Sequence, residues 1–305
     1  MLKKFSGYIL ALAGLTVIFT SCKKEYDSIQ TVDSAKITDF IAKNNITGMV
    51  QDSAKTGYYY QIVTPGTVGS LLKNSDTILY TGSFKGMESG VTYFSTASYY
   101  NLNNFVGYTN SISYNGASYN IPAIREVMLK MRRGGTARIL LPSYLAFGRN
   151  GAGEIPSNEN IDLTITTFPD TTQAQLDDRL IQEFVTSKGL NMTKDPSGIW
   201  YSISTAGDGE TFVTTSSTAT TAYTGRLIDG SVFQTNTTGI PVDFSTPPGD
   251  VPLRAWLRII PGRLKKGGKI RMIIPSRLGY GKIGDSSIPG NAILDFDVEV
   301  LSITN

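Results

Sequence analysis

The chain has 305 residues, with 28 Lys+Arg against 25 Asp+Glu, one Cys and no His. Without His there is no Ser-His-Asp triad, no Cys-His pair, no His-ligated zinc and no histidine pH switch, and one Cys allows neither an internal disulfide nor a CxxC redox motif. A formal charge of +3 with no Lys/Arg block argues against nucleic acid, and 40% hydrophobic content in a Gly- and Tyr-rich chain predicts β-rich packing over about two domains.

The first segment is an address. Lys3 and Lys4 precede the apolar run Tyr8–Phe19, which ends in Thr20-Ser21-Cys22. The run falls short of the ~20 residues that span a bilayer as a helix, so residues 1–21 are read as a cleavable signal. Their end resembles a bacterial lipoprotein lipobox. That resemblance implies a lipid on Cys22, a polar tether over 22–33, and a cell-envelope protein anchored to a membrane, with the outer membrane expected and its face open. The charges Lys23-Lys24-Glu25 are similar to those that follow the lipobox in some Bacteroidetes-type surface lipoproteins.

The remainder is one unit used twice, over 34–170 and 171–305. Met131–Gly148 matches Leu264–Gly281 without a gap, at the offset that pairs Gly134 with Gly267, through Pro142/Pro275 and Ile155-Pro156/Ile288-Pro289. Upstream, Tyr80-Thr81-Gly82 pairs with Tyr223-Thr224-Gly225, which gives the first copy ten extra residues. So long a period means two domains, because solenoid repeats are shorter.

Each copy opens with a helix. Ile37, Phe40 and Ile41 share a face in the first; Leu176, Leu180, Ile181, Phe184 and Val185 do so in the second, with Gly189 placed to end it. Strand patterns follow at Ile199–Ser204, Thr220–Gly225, Ile270–Ile274 and Ala292–Leu301, and Asp229-Gly230 marks a tight hairpin turn. A short helix is predicted near Leu253–Leu264. Together these elements predict an α+β class, an antiparallel sheet covered by one short helix in each copy.

Tyr223–Phe233, Lys265–Gly281 and Ser287–Leu301 together resemble an FKBP-type peptidyl-prolyl isomerase domain, in the family's order and near its spacing. The likeness covers roughly 195–303, and the first copy repeats it in degraded form over about 54–168. It implies a half-barrel sheet wrapped round a short helix with the ligand between them. X-Pro-containing polypeptides are the implied substrate, and no cofactor or metal is implied.

That chemistry suits a chain without His. An X-Pro bond turns over a barrier of ~18–20 kcal/mol, taking tens to hundreds of seconds uncatalysed. No bond is made or cut, so no nucleophile or acid-base pair is needed. Amide resonance is favoured by polar solvent, so a dry aromatic pocket disfavours the planar ground state relative to the twisted one.

The resemblance places Tyr223, Phe233, Phe244, Tyr280, Ile288 and Phe296 around the prolyl ring, with the Tyr280 hydroxyl donating to a substrate carbonyl. Trp256 is expected as the floor, with a one-residue insertion before Gly267-Gly268; aligned without a gap, Leu257 takes that place. Gln234 stands where the family carries Asp. In the first copy Phe147 replaces the loop Tyr, Ile124 the floor Trp, Leu163 the residue matching Phe296, and Ser95 the Asp. A shallower pocket without a donor, and little or no isomerase activity, are expected there. The Tyr/Asn-rich run Tyr99–Asn120 reads as a solvated flap or, alternatively, as a recognition loop. The competing function for the whole protein is non-catalytic binding of proline-containing or apolar segments.

Overall fold

The computed structural model describes residues 27–245 and 253–304. The signal segment and Cys22 lie outside the described residues. The first copy comprises helix α1 (Ile29–Lys43), strands β1 (Val50–Gln51), β2 (Tyr59–Thr64), β3 (Thr77–Gly86), β4 (Thr92–Ser95), β5 (Leu102–Phe105), β6 (Ser111–Tyr114) and β7 (Ala117–Asn120), helix α2 (Pro122–Met128), then β8 (Thr136–Leu141) and β9 (Ile161–Thr167). The second comprises α3 (Gln173–Ser187), β10 (Thr193–Lys194), β11 (Trp200–Thr205), β12 (Thr218–Leu227), β13 (Val232–Asp243), α4 (Leu253–Ile259), β14 (Lys269–Ile274) and β15 (Leu294–Thr304).

Both copies build the same antiparallel sheet. Its order is β1-β2-β8-β9-β3-β4 in the first and β10-β11-β14-β15-β12-β13 in the second. The alternation read from Ile270–Ile274 explains the layering. Ile270, Met272 and Ile274 face Ala255, Trp256 and Ile259 of α4, while Ile273 points to the opposite face and packs on Ile181 and Val185 of α3. Leu140 meets Ile37 of α1 in the same way. Each central strand is therefore covered on both sides, by a short helix inside and by the leading helix outside.

The leading helices are set by local signals. Thr172 and Gln175 form a reciprocal capping box at the start of α3, and Gly189, at φ +61°, follows its end. Ser28 accepts from the Thr31 N–H at 3.2 Å to cap α1. That helix starts inside the stretch expected to be tether, so residues 29–33 belong to the folded unit.

Each helix also buries one carboxylate on its apolar face. Asp33 Oδ2 accepts from Ser143 N at 2.9 Å and Oγ at 2.7 Å. Asp177 Oδ2 accepts from Ser276 N and Oγ at the same two distances. The clamp ties each helix to the turn that follows the central strand. Burial pushes the Asp177 carboxyl up, against the downward pull of hydrogen bonds from Gln173 and Ser276.

Two expectations about the first copy need correction. The offset at Gly134/Gly267 holds across the central strands, where Ile139 pairs with Leu163 and Met272 with Phe296. On the next strand it differs from the sequence match. Gly82 pairs with Ile165, and Tyr223 pairs with Val298, so Gly82 corresponds to Tyr223 and Tyr80 to Thr221. A two-residue shift leaves every side chain on its original face, which is why the Tyr-Thr-Gly match was attractive. Phe84 then stands at the place of Gly225.

The Tyr99–Asn120 run is not a solvated flap. β5 extends the sheet along the first half of β3, and β6 and β7 form a hairpin closed by Asn115 (φ 48°) and Gly116 (φ 76°). An Asn-Gly pair between alternating residues is a strong hairpin signal that the sequence reading passed over. The rings of Tyr114 and Tyr119 pack on Phe147, with centroids 5.9 and 4.9 Å apart.

Candidate active site

Four elements of the second copy converge on one aromatic cluster. Tyr223 comes from β12, Phe233 from β13, Trp256 from α4 and Phe296 from β15. Phe296 is the hub. Its ring lies 5.6 Å from Phe233 at 77°, 5.6 Å from Trp256 at 81° and 6.1 Å from Tyr223 at 50°. Tyr223 meets Trp256 edge-on at 5.2 Å. These are the separations and tilts that opposed ring quadrupoles favour.

Burial is graded across the cluster. Trp256 and Phe296 are each 1% exposed, Phe244 and Ile288 are buried, and Tyr223, Phe233 and Tyr280 are half-buried. The floor is sealed, then, and the rim meets solvent. Burial raises the Tyr223 hydroxyl pKa above its ordinary value, and Trp256 Nε1 has no hydrogen-bond partner among the described residues.

Trp256, and not Leu257, occupies the position beneath the rings. α4 ends at Ile259, and the following turn, with Gly262 at φ +72°, absorbs the length difference before Leu264 re-enters the core. Helical periodicity keeps Ala255, Trp256 and Ile259 toward the sheet and leaves Leu257 half-buried. Leu257 as the floor is therefore corrected by the geometry.

The close packing depends on Gly225. A Cβ there would lie 2.6 Å from Phe233 Cζ and 2.7 Å from Phe296 Cε1. Only Gly lets both rings lean over β12. The loop bearing Ile288 is folded back at Gly284 (φ +77°), where Asp285 and Ile288 exchange backbone hydrogen bonds of 2.7 and 2.8 Å. Tyr280 follows the 3-10 turn Ser276–Leu278, which Asp177 holds from behind. Gln234 is exposed and pairs with Gly225 across the ladder. Phe244 lies just past β13, its N–H donating to the Ser217 carbonyl at 2.9 Å.

The ladder is pinned by a buried ion pair that sequence reading missed. Arg271 holds Asp295 in a two-pronged contact at 2.9 and 2.7 Å, and Arg138 holds Asp162 identically in the first copy. The signal was present, an Arg and an Asp repeated at the common offset, but alternation alone does not say that they face one another.

The first copy encloses a cavity of about 280 Å³ at the corresponding place, between sheet and α2. Tyr80, Phe84, Phe94, Ile124, Phe147 and Leu163 are among its lining residues. The cavity is larger than the shallow pocket expected, while Phe147 brings no loop hydroxyl to it. Tyr80 is 8% exposed, its hydroxyl has no hydrogen-bond partner among the described residues, and burial pushes its pKa up to about 12. Phe84 stacks on Phe94 at 5.1 Å and meets Phe147 at 5.4 Å.

The cluster lies between an antiparallel sheet and a short helix, and its members are aromatic and aliphatic side chains. Residues 209–301, within the second copy, match the family model for FKBP-type peptidyl-prolyl cis-trans isomerases. A Haemophilus influenzae protein named as a probable FKBP-type peptidyl-prolyl cis-trans isomerase is 40% identical over 128 residues, 41% of this chain and 50% of the relative. The FKBP-type peptidyl-prolyl cis-trans isomerase FkpA of Escherichia coli strain K12 is 38% identical over 123 residues, 40% of this chain and 43% of the relative. The chain spans about half the length of the curated relatives it matches. Among solved structures, Escherichia coli FkpA aligns with a TM-score of 0.36 at 32% identity, over 43% of this chain and 59% of that one. The three FKBP domains of wheat FKBP73 align with a TM-score of 0.33 at 16% identity, over 85% of this chain and 99% of that one.

Proposed function

We propose that the protein is a peptidyl-prolyl cis-trans isomerase acting on exported chains, with the activity carried by the second copy and the first copy inactive. Its anchor is a lipid on Cys22, which places it in the cell envelope on a membrane, with the outer membrane expected. The observation that carries this reading is the packing of Tyr223, Phe233 and Trp256 around Phe296, sealed below and half-open above.

The chemistry follows from that gradient. A prolyl ring enters the half-exposed rim and settles over Trp256, losing water from both faces of the X-Pro amide. Loss of water disfavours the charge-separated planar amide and leaves the twisted one relatively better bound. The Tyr280 hydroxyl then holds a substrate carbonyl while the bond turns. The first copy has Phe147 and Ile124 in place of the loop Tyr and floor Trp, and so lacks that arrangement.

The test is a protease-coupled prolyl-peptide assay on the full mature chain beside its Phe233→Ala/Tyr280→Phe double variant. Wild type is expected to accelerate isomerisation and the variant to lose at least tenfold, about 1.4 kcal/mol of barrier. Wild type at the uncatalysed rate sinks the isomerase reading. It would leave the second one, a non-catalytic holder of proline-containing segments, which Gln234 in place of the family's Asp favours.

A further inference from the structure

The cavity of the first copy is lined in an unusual way. Leu102, Asn103 and Asn104 of β5 all border it, and so do Ser111, Ile112 and Ser113 of β6. Successive side chains of a strand point to opposite faces, so three consecutive residues can border one space only where the strand presents its backbone edge. Among the described residues β5 pairs only with β3, and β6 only with β7. Each of these strands therefore has one edge outside the ladder beside the cavity, although on β5 the Phe105 N–H donates to Asn104 Oδ1 and the Leu102 carbonyl accepts from Asn101 Nδ2.

The interior has a matching chemistry. No lining residue is charged, which excludes an ionic ligand on desolvation grounds. At about 280 Å³ the space is roughly twice the ~150 Å³ that takes up benzene. Tyr80 borders this space, and its hydroxyl, which makes no hydrogen bond among the described residues, offers one hydrogen to one acceptor. The second copy differs here in that its edge strand β13 runs unbroken from Val232 to Asp243, where the first copy divides into β4 and β5.

We propose that the first copy binds an extended polypeptide segment that adds as a strand between β5 and β6, with one uncharged apolar side chain in the cavity and a carbonyl accepting from Tyr80 Oη. Backbone pairing supplies affinity without sequence preference, and the cavity selects the apolar residue. Proline is disfavoured here, since it cannot donate to a strand edge. The first copy is thus a second polypeptide site, complementary to a prolyl site rather than a spent version of one. The proposal stands whether or not the second copy is an isomerase.

The experiment uses the full mature chain and a fluorescein-labelled, proline-free peptide, acetyl-Thr-Val-Leu-Val-Thr-amide, with binding read by anisotropy. Wild type and the Phe233→Ala/Tyr280→Phe variant are expected to bind alike. Leu163→Trp fills the cavity and is expected to weaken binding by about tenfold or more, and Tyr80→Phe, which keeps the ring, by roughly three- to tenfold. A peptide N-methylated at alternate amides is expected not to bind. No binding by wild type overturns the proposal. So does equal binding by both cavity variants, or by the N-methylated peptide, the last result indicating a small-molecule cavity instead. Because Tyr80→Phe removes only a hydroxyl, its result stands if Leu163→Trp misfolds.

Discussion

The side-chain amides of Asn101 and Gln173 exchange two hydrogen bonds, Nδ2 to Oε1 at 3.0 Å and Nε2 to Oδ1 at 2.9 Å, and so join the two copies. The link continues on both sides. Gln173 also donates to Asp177 at 2.8 Å, the carboxylate that holds Ser276 before the Tyr280 loop. The Asn101 carbonyl accepts from Asn291 Nδ2 at 3.1 Å, on the loop after Ile288. Nearby, Tyr99 packs against the core of the second copy. The stretch whose composition suggested a recognition loop thus braces both loops of the candidate active site.

Asn101→Leu strips the half-buried Gln173 amide of both Asn101 contacts and leaves its Oε1 without a donor, while the backbone carbonyl that Asn291 uses is retained. The expected cost is about 1–3 kcal/mol, the desolvation penalty of an amide group left unpaired. Both tryptophans, Trp200 and Trp256, belong to the second copy. Urea unfolding followed by Trp fluorescence therefore reports on that copy, and an unchanged midpoint would show that the bridge carries no load.

Gly225→Ala sets a methyl group 2.6–2.7 Å from two rings. Phe233 and Phe296 must splay, which opens the cluster and admits water. The expected result is a loss of roughly tenfold or more in prolyl isomerisation rate, about 1.4 kcal/mol, with a smaller change in urea midpoint. Retention of full rate would mean that ring closure over β12 is irrelevant to turnover.

Arg271→Ala leaves Asp295, buried at the sheet centre, with only the more distant Arg226, 3.9 Å away. Removing one partner of a buried pair costs about 3–5 kcal/mol. Because Arg271 is itself partly exposed, the lower end is expected. Asp295→Asn in the same background is expected to recover part of the loss, which distinguishes a stranded charge from lost packing.

Asp177 gives a pH dependence with a definite sign. Burial first of all raises its pKa above the unfolded carboxylate value. The folded state therefore binds the proton more tightly than the unfolded state, and stability from this group is fully present below the unfolded pKa of ~3.9 and is lost as pH rises through the folded one. In urea titrations across that window, wild type should lose stability relative to Asp177→Asn as pH rises. A difference that grows the other way would refute the assignment.

Much was legible because periodicity is a local property. Alternation over Ile270–Ile274 and the helical face Leu176–Val185 reported burial directly, since a side chain's face follows from its position along the strand or helix. The sequence favoured Trp256 as the floor but left Leu257 as the alternative. The phase of a helix relative to a sheet is settled by how the following turn takes up an extra residue, and the Pro261-Gly262 turn did so after Ile259.

By itself the amino-acid sequence determined the α+β class, the duplication, the aromatic set of the second copy and the exclusion of histidine chemistry. These depend on residue type and spacing alone. Only the tertiary structure decided the register of β3, the Asp177–Ser276 clamp, the Asn101–Gln173 bridge and the cavity framed by β5 and β6. Register by twos preserves every face and so leaves no trace in the pattern. Contacts between residues 72 to 190 positions apart arise when two separately patterned elements are brought together, and nothing local in either one encodes its partner.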